Sequence, residues 1–129
     1  MIPKIKTFEA ACKALKLNPA KVLPTVTTFP VKHRNALVAH AKLIIIAEAL
    51  NEGWQPNWND SSEWKYYPWF EVKADEKNLS GSGLAYYVFA YWLSLTAVGS
   101  RLCFKSRELA EYAGKQFKKL YEEYFLIGK

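Results

Sequence analysis

The sequence is poor in cysteine, since its 129 residues include only Cys12 and Cys103, and these form no CxxC pair. This scarcity excludes a disulfide-rich secreted scaffold and a cysteine-based zinc site. The chain is long enough to bury a core without such staples, and we predict a single domain over residues 1–129. We interpret both cysteines as reduced, buried residues of a cytosolic protein, with a single disulfide as the alternative.

Long uncharged apolar runs are also lacking. The N-terminal stretch "MIPKIKTFEAACKAL" is interrupted by lysines and a proline, so no signal peptide is predicted. The segment "ALVAHAKLIIIAEAL" contains His40, Lys42 and Glu48, and "GLAYYVFAYWLSLTAVG" is shorter than the ~20 residues that span a bilayer. We therefore predict a cytoplasmic protein with no membrane partner.

Familiar catalytic signatures are missing as well. There is no HExxH, P-loop or GxSxG pattern, and "GSG" at 81–83 lacks the third glycine of a dinucleotide loop. His33 and His40 lie seven residues apart, about 10 Å along a helix, which is too far to share a metal ion unaided. The sequence therefore predicts no metal site, no cofactor and no catalytic residue.

Carboxylates near the tryptophans leave one enzymatic alternative open. A pair of such groups beside an aromatic wall is typical of glycosidase clefts. We interpret these side chains as solvated surface charges, the common case, and rank a sugar- or nucleotide-acting enzyme third among the hypotheses. The four carboxylates are Asp60, Glu63, Glu71 and Asp75.

Residue periodicity favours helices in the first half of the chain. Thr7 is a predicted N-cap, followed by an apolar stripe at helical spacing that begins at Phe8. Asn18-Pro19 predicts a short second helix through Leu23, and the longest helix is predicted over about 31–52. Residues 54–63, rich in Asn, Asp, Ser and Pro, predict a loop.

The second half favours strands and then a last helix. Segments 65–74, 83–95 and 98–106 are rich in Val, Tyr, Phe and Trp, with a turn at 78–83. Ser106 is predicted to cap a helix running to about Phe125, in which Gly114 implies a close packing partner. The predicted fold class is α+β: N-terminal helices, a small antiparallel sheet and a C-terminal helix packed on the sheet.

Three blocks of sequence carry a family resemblance. The blocks "KHRNALVAHAKLIIIAEALNEGWQPNW", "SEWKYYPWF" and "VGSRLCFKSRELAEYAGKQFKKLYEEYF" resemble a family of small uncharacterised Bacteroidetes proteins of phage or prophage type. The resemblance covers about residues 7–127. It implies a bacterial cytoplasm and a phage-associated setting. The family has no established activity, so the resemblance assigns no role to any residue.

The stretch "SRLCFKSRE" is the first candidate site. If 100–105 is a strand, Leu102 and Phe104 point into the core while Arg101, Cys103 and Lys105 point away. A helix N-terminus follows, and its free N–H groups attract anions. The predicted phosphate or carboxylate site consists of Arg101, Lys105, Ser106 and Arg107. In the alternative interpretation, Ser106 satisfies the N–H groups and the cations are solvated or paired.

The stretch "WKYYPWF" is the second candidate. Pro68 indicates an edge strand, and alternation places Tyr66 with Phe70 on one side. One side should join the core. The other could form an aromatic surface for bases, sugars or a protein. The candidate surface residues are Trp64, Tyr67 and Trp69.

Charge is unevenly distributed and ranks the functions. The net charge is +6, with +5 in residues 1–53, −2 in 54–100 and +3 in 101–129. The leading hypothesis is a non-enzymatic binding or accessory protein of phage type, with nucleic acid bound by the basic flanks as the first ligand class. The alternative is a protein-interaction or self-assembly module, either a homo-oligomer or bound to a phage or host protein.

Overall fold

The structure, a computed structural model, describes residues 4–73 and 83–128. In chain order it has helices α1 (Phe8–Ala14) and α2 (Val31–Asn51), strands β1 (Lys65–Lys73) and β2 (Gly83–Trp92), and helices α3 (Arg107–Gln116) and α4 (Lys118–Phe125). The strands form a two-stranded antiparallel sheet, and the C-terminal helices contact it. The α+β prediction is confirmed. Most of the predicted turn at 78–83 lies outside the described residues.

The first helix begins where the sequence predicts. The Thr7 hydroxyl accepts a hydrogen bond from the Ala10 N–H at 3.0 Å, so the predicted N-cap is confirmed. The predicted second helix is wrong. The Asn18 side chain accepts from the Ala20 N–H at 2.9 Å and its carbonyl accepts from the Val22 N–H at 3.0 Å, which closes a single turn. Such local bonds compete with helix propagation.

The long helix α2 forms the centre of the core. Leu43, Ile46 and Leu50 are buried, and α2 packs against both α1 and α4. The helix ends at Glu52, whose φ of 49° is left-handed, and Gly53 continues at φ 87°. Glycine adopts that conformation at little steric cost, which accounts for the predicted end of the helix near Gly53. None of the helices in the described ranges combines the length and apolarity needed to cross a bilayer.

The C-terminal helix packs closely on the sheet at Gly114. A Cβ atom added there would lie 2.7 Å from Pro68 Cβ and 2.7 Å from Tyr86 Cδ1, so the predicted close partner is confirmed. The predicted continuous helix from Ser106 to Phe125 is interrupted. It divides at Phe117, whose φ of −111° and ψ of 25° separate α3 from α4.

The predicted strand over 98–106 is wrong. The Thr96 hydroxyl accepts hydrogen bonds from the N–H groups of Val98 and Gly99 at 3.1 and 2.7 Å, and Gly99 has a φ of 72°. These features turn the chain before a strand can form. What remains in the described chain is one antiparallel bridge between Phe104 and Tyr66.

Side-chain directions after this turn differ from strict alternation. Leu102 and Phe104 are buried as predicted, but Cys103 is also buried, at 1% exposure. Its thiol donates to the Ser100 carbonyl at 3.6 Å. Burial raises the pKa of this thiol to about 11. Cys12 and Cys103 are both free and buried, as predicted, and they form no disulfide.

Candidate functional site: an open strand edge

A buried lysine fixes the start of β1. Lys65 is 1% exposed, and its ammonium donates to the carbonyls of Leu93 at 2.6 Å and Asp60 at 3.0 Å. Glu63 Oε1 lies 3.4 Å away, and the Trp58 ring centroid lies 5.1 Å away. Because a buried charge is costly unless it is paired and hydrogen-bonded, these contacts hold the preceding loop and the chain after β2 against β1.

A buried amide fixes the neighbouring chain on the other side of β1. Asn51, the last residue of α2, donates to the Cys103 carbonyl at 2.9 Å and accepts from the Lys105 N–H at 3.1 Å. Phe104 lies in sequence between Cys103 and Lys105. Because Asn51 fixes the backbone on both sides of it, Phe104 stays paired with Tyr66. The amide thus takes the place of strand pairing at a side of β1 where the described residues form no further strand.

Beyond Phe104 the edge of β1 is open. Tyr66 and Phe104 exchange two backbone bonds, of 3.1 and 2.7 Å, so the polar groups of Tyr66 point away from β2. Along a strand, the N–H and C=O groups of successive residues point to opposite edges. The backbone groups of Phe70 and Val72 therefore point to the same edge as those of Tyr66. Pro68 also lies at this edge, where its missing N–H interrupts no pairing with β2. In residues 4–73 and 83–128 no backbone group pairs with Phe70 or Val72 there.

An apolar cavity of about 380 Å³ lies beside this open edge. It lies between β1, the segment 97–102 and the end of α4. Among the described residues, its lining contains no Lys, Arg, His, Asp or Glu. The lining residues are Tyr67, Pro68, Trp69, Phe70, Val72, Ala97, Val98, Leu102, Tyr124, Phe125 and Leu126. The open edge and this cavity form the candidate site, which we call the edge cavity.

The structure does not bring the predicted aromatic surface together. Trp64 is 46% exposed and stacks on Tyr91, with ring centroids 4.5 Å apart, whereas Trp69 is 48% exposed on the opposite face of the hairpin. The prediction of an exposed Tyr67 is wrong, since it is 4% exposed. Tyr67 instead contributes to the wall of the edge cavity, together with Ala97, Val98 and Leu102.

At the predicted anion site, the helix start is already satisfied. The Ser106 hydroxyl accepts from the Leu109 N–H at 3.2 Å, which caps α3. The Arg107 guanidinium lies 3.3 Å from Glu108, and both side chains are exposed. Hydrogen bonds from its own backbone and from Arg107 lower the pKa of Glu108, which is favourably placed in the first turn of the helix.

The other two cations of that site face different surroundings. Lys105 Nζ lies 3.9 Å from Glu52 Oε1. Arg101 is exposed and borders a second, more polar cavity of about 570 Å³, which Lys105, Ser106 and Arg107 do not line. Residues lining that cavity are Ile44, Glu48, Asn51, Gly53, Trp54, Gln55, Pro56, Ser100 and Arg101.

The acidic residues near the tryptophans have structural partners. Asp60 accepts from the backbone and hydroxyl of Ser62, and these bonds lower its pKa. Glu63 pairs with Lys65 and accepts from the Asn57 N–H at 2.7 Å. Glu71 is exposed on β1, and Asp75 lies outside the described residues. Asp60, Glu63 and Glu71 do not line either cavity.

The two histidines lie on α2 and differ in their surroundings. His40 stacks on Tyr124 of α4, with ring centroids 4.3 Å apart, and burial lowers its pKa. His33 contacts the Phe29 ring at 6.2 Å between centroids. Over the described part of the chain, no group of three His, Cys, Asp or Glu side chains is placed to hold a metal ion.

Sequence reasoning missed the edge cavity. Its members Phe70, Val98 and Phe125 were predicted as ordinary strand or helix residues. Two signals were present: Pro68, which marks a strand edge, and Gly99 after Thr96, which favours a turn. Comparison of the chain with protein-family models, curated proteins and solved structures finds no match. The functional argument therefore rests on the geometry.

Proposed function

We propose that this protein is a non-enzymatic binding module that docks a protein partner through its β hairpin. The observation that carries the proposal is the concentration of exposed large apolar side chains between residues 64 and 95. We call this set the hairpin surface. Its members are Trp64, Trp69, Val72, Tyr87, Val88, Tyr91 and Leu95.

The composition of the hairpin surface supports a protein ligand. Exposed aromatic residues grouped on one element are typical of protein interfaces, in which Trp and Tyr contribute much of the binding energy. The hairpin surface also lies in the part of the chain with net charge −2, residues 54–100. Phosphate attraction is therefore weak where the exposed rings are concentrated.

The resemblance to phage-type proteins supplies the proposed setting. In a phage-infected or lysogenic bacterium, a small module of this kind would act as an accessory protein on a phage or host partner. Self-assembly through the same surface is the competing outcome, and light scattering distinguishes it by molar mass.

The test compares two exposed residues that differ in location. Tyr87 on the hairpin is 66% exposed and Val31 at the start of α2 is 74% exposed, so neither Tyr87→Ser nor Val31→Ser removes core packing. Wild type and both variants are immobilised and incubated with bacterial lysate, and retained proteins are quantified by mass spectrometry. We expect a protein retained by wild type and Val31→Ser but reduced at least tenfold by Tyr87→Ser. Equal retention by all three contradicts the proposal.

Nucleic acid is the second candidate ligand, and Arg101 favours it. This residue is exposed and forms no ion pair within the described ranges, and both basic flanks surround the hairpin in sequence. DNA and RNA binding should be measured across a salt series, where phosphate contacts make log K fall linearly with log salt. Arg101→Gln should reduce that slope by about 1. Absence of binding at low salt rules this candidate out.

A further inference from the structure

We infer that the open edge of β1 receives an extended segment of a partner protein, which adds a third strand to the sheet and inserts an apolar side chain into the edge cavity. This inference rests on the proposed function and specifies its binding mode. It concerns one edge of the hairpin, whereas the hairpin surface includes residues on both faces.

The backbone at this edge is suited to strand addition. Phe70 and Val72 pair with Tyr86 and Leu84 of β2, and outside β2 no backbone group of the described residues bonds to either of them. An open strand edge of this kind is a template for another extended chain, and peptides that add to such an edge gain affinity from main-chain hydrogen bonds. Pro68 sets the limit of pairing, because it lacks an N–H next to the existing Tyr66–Phe104 bridge.

The edge cavity supplies the second half of the recognition. Its volume of about 380 Å³ and uncharged lining suit large apolar side chains. Side chains of an added strand that lie two positions apart point to the same face. The matching ligand is therefore an extended segment with large apolar residues at positions i and i+2.

Phe104 shows that this position accepts a strand. It already pairs with β1 in antiparallel fashion, through bonds of 3.1 and 2.7 Å to Tyr66. The residues that precede Phe104 do not continue this pairing in the described chain, because the chain turns at Thr96 and Gly99, and the backbone edge of Phe70 and Val72 is left to an incoming segment.

A foreign segment fits this edge better than a second copy of the chain. Two copies could pair through their β1 edges in a symmetric antiparallel arrangement, with Phe70 of each copy opposite Val72 of the other. In that arrangement Glu71 of one copy would lie directly opposite Glu71 of the other. Like charges in directly opposite positions destabilise a sheet. A partner segment carries no such constraint.

The test uses a displayed library of random ten-residue peptides, selected on the intact wild-type protein. We expect enriched peptides with large apolar residues two positions apart. Their binding, measured by fluorescence anisotropy, should weaken at least tenfold in Ala97→Phe, which places a ring in the edge cavity. The matched control is Ala20→Phe, at another exposed alanine, in the turn after α1, and it should bind as wild type does.

A second measurement uses wild-type protein only, so it does not depend on how the variants fold. Each selected peptide is made in two N-methylated versions, one methylated at the odd-numbered backbone nitrogens and the other at the even-numbered ones. Each version is one phase of methylation. One phase should abolish binding and the other should preserve it, because only alternate N–H groups face β1. The inference is overturned if no peptide is enriched, if both phases bind equally, or if Ala97→Phe binds as well as wild type. If one of these results is obtained but Tyr87→Ser still fails to retain the protein that wild type captures from lysate, the strand-addition inference is wrong and the proposed function is still supported.

Discussion

Tyr66 and Phe104 exchange two backbone hydrogen bonds of 3.1 and 2.7 Å, yet the chain around Phe104 does not continue as a strand. This bridge determines which edge of β1 faces the edge cavity. It also shows why the hairpin has an open edge: the sheet begins a third strand and leaves it after one residue pair. The predictions below test the contacts that hold this arrangement.

Asn51→Ala should destabilise the protein. The substitution leaves the Cys103 carbonyl and the Lys105 N–H without their partner. An unsatisfied buried polar group costs about 1–3 kcal/mol, so we expect a loss of about 2 kcal/mol in the free energy of unfolding. Urea denaturation measures it. Asn59→Ala, at an exposed loop position, serves as the control, and equal stability of the two variants would refute the role assigned to Asn51.

Gly114→Ala should also destabilise, although alanine is the better helix former by ~1 kcal/mol. The added methyl group would lie 2.7 Å from Pro68 and Tyr86, and overpacking of this kind costs about 1–3 kcal/mol. Thermal unfolding followed by circular dichroism measures the effect. Lys119→Ala, an exposed substitution on α4, should be close to neutral. A stabilised Gly114→Ala protein would show that α3 does not pack this closely on the sheet.

Lys65→Met tests the buried ammonium. The variant keeps most of the side-chain volume but loses the hydrogen bonds to Asp60 and Leu93 and the ion pair with Glu63. Hydrogen bonds from charged donors are worth about 1.5–3 kcal/mol, so we expect a loss of about 2 kcal/mol in the free energy of unfolding. Lys65→Arg should not restore stability, because the broad guanidinium does not fit a site built for an ammonium. Unfolding in urea, with exposed Lys21→Met as control, measures both.

Stability should decrease below about pH 6.5 because of His40. Burial against Tyr124 lowers the pKa of His40 in the folded protein, so below its ordinary value of 6.5 the unfolded chain binds the proton more readily. Above that pH both states are neutral and the residue contributes no pH dependence. Urea unfolding between pH 5 and 8 measures the slope. His40→Phe, which keeps a ring beside Tyr124, should reduce the slope, and an unchanged slope in this variant would contradict the prediction.

Much of the fold follows from local sequence signals. Thr7 and Ser106 cap helices as predicted, because a hydroxyl before an apolar stripe satisfies the first N–H groups. Gly114 indicated a close contact that packing confirms. These features depend on a few neighbouring residues, so they can be derived from the sequence.

The candidate site could not be derived in the same way. The strand propensity of 98–106 was outweighed by a turn at Thr96 and Gly99, and the edge cavity lies between this segment, β1 and the end of α4. The buried ammonium of Lys65 donates to the carbonyl of Leu93, which is 28 residues distant in sequence. Such tertiary partners are not visible in local patterns.

The central claim is that Phe70 and Val72 form an open edge that a partner strand covers. Amide hydrogen exchange, measured residue by residue with and without a selected peptide, tests it most directly. In the free protein, the amides of Phe70 and Val72 should exchange much faster than that of Tyr67, which points towards β2, and the peptide should slow both of them. Protection of Phe70 and Val72 equal to that of Tyr67 without peptide, or no change when the peptide binds, would contradict the claim.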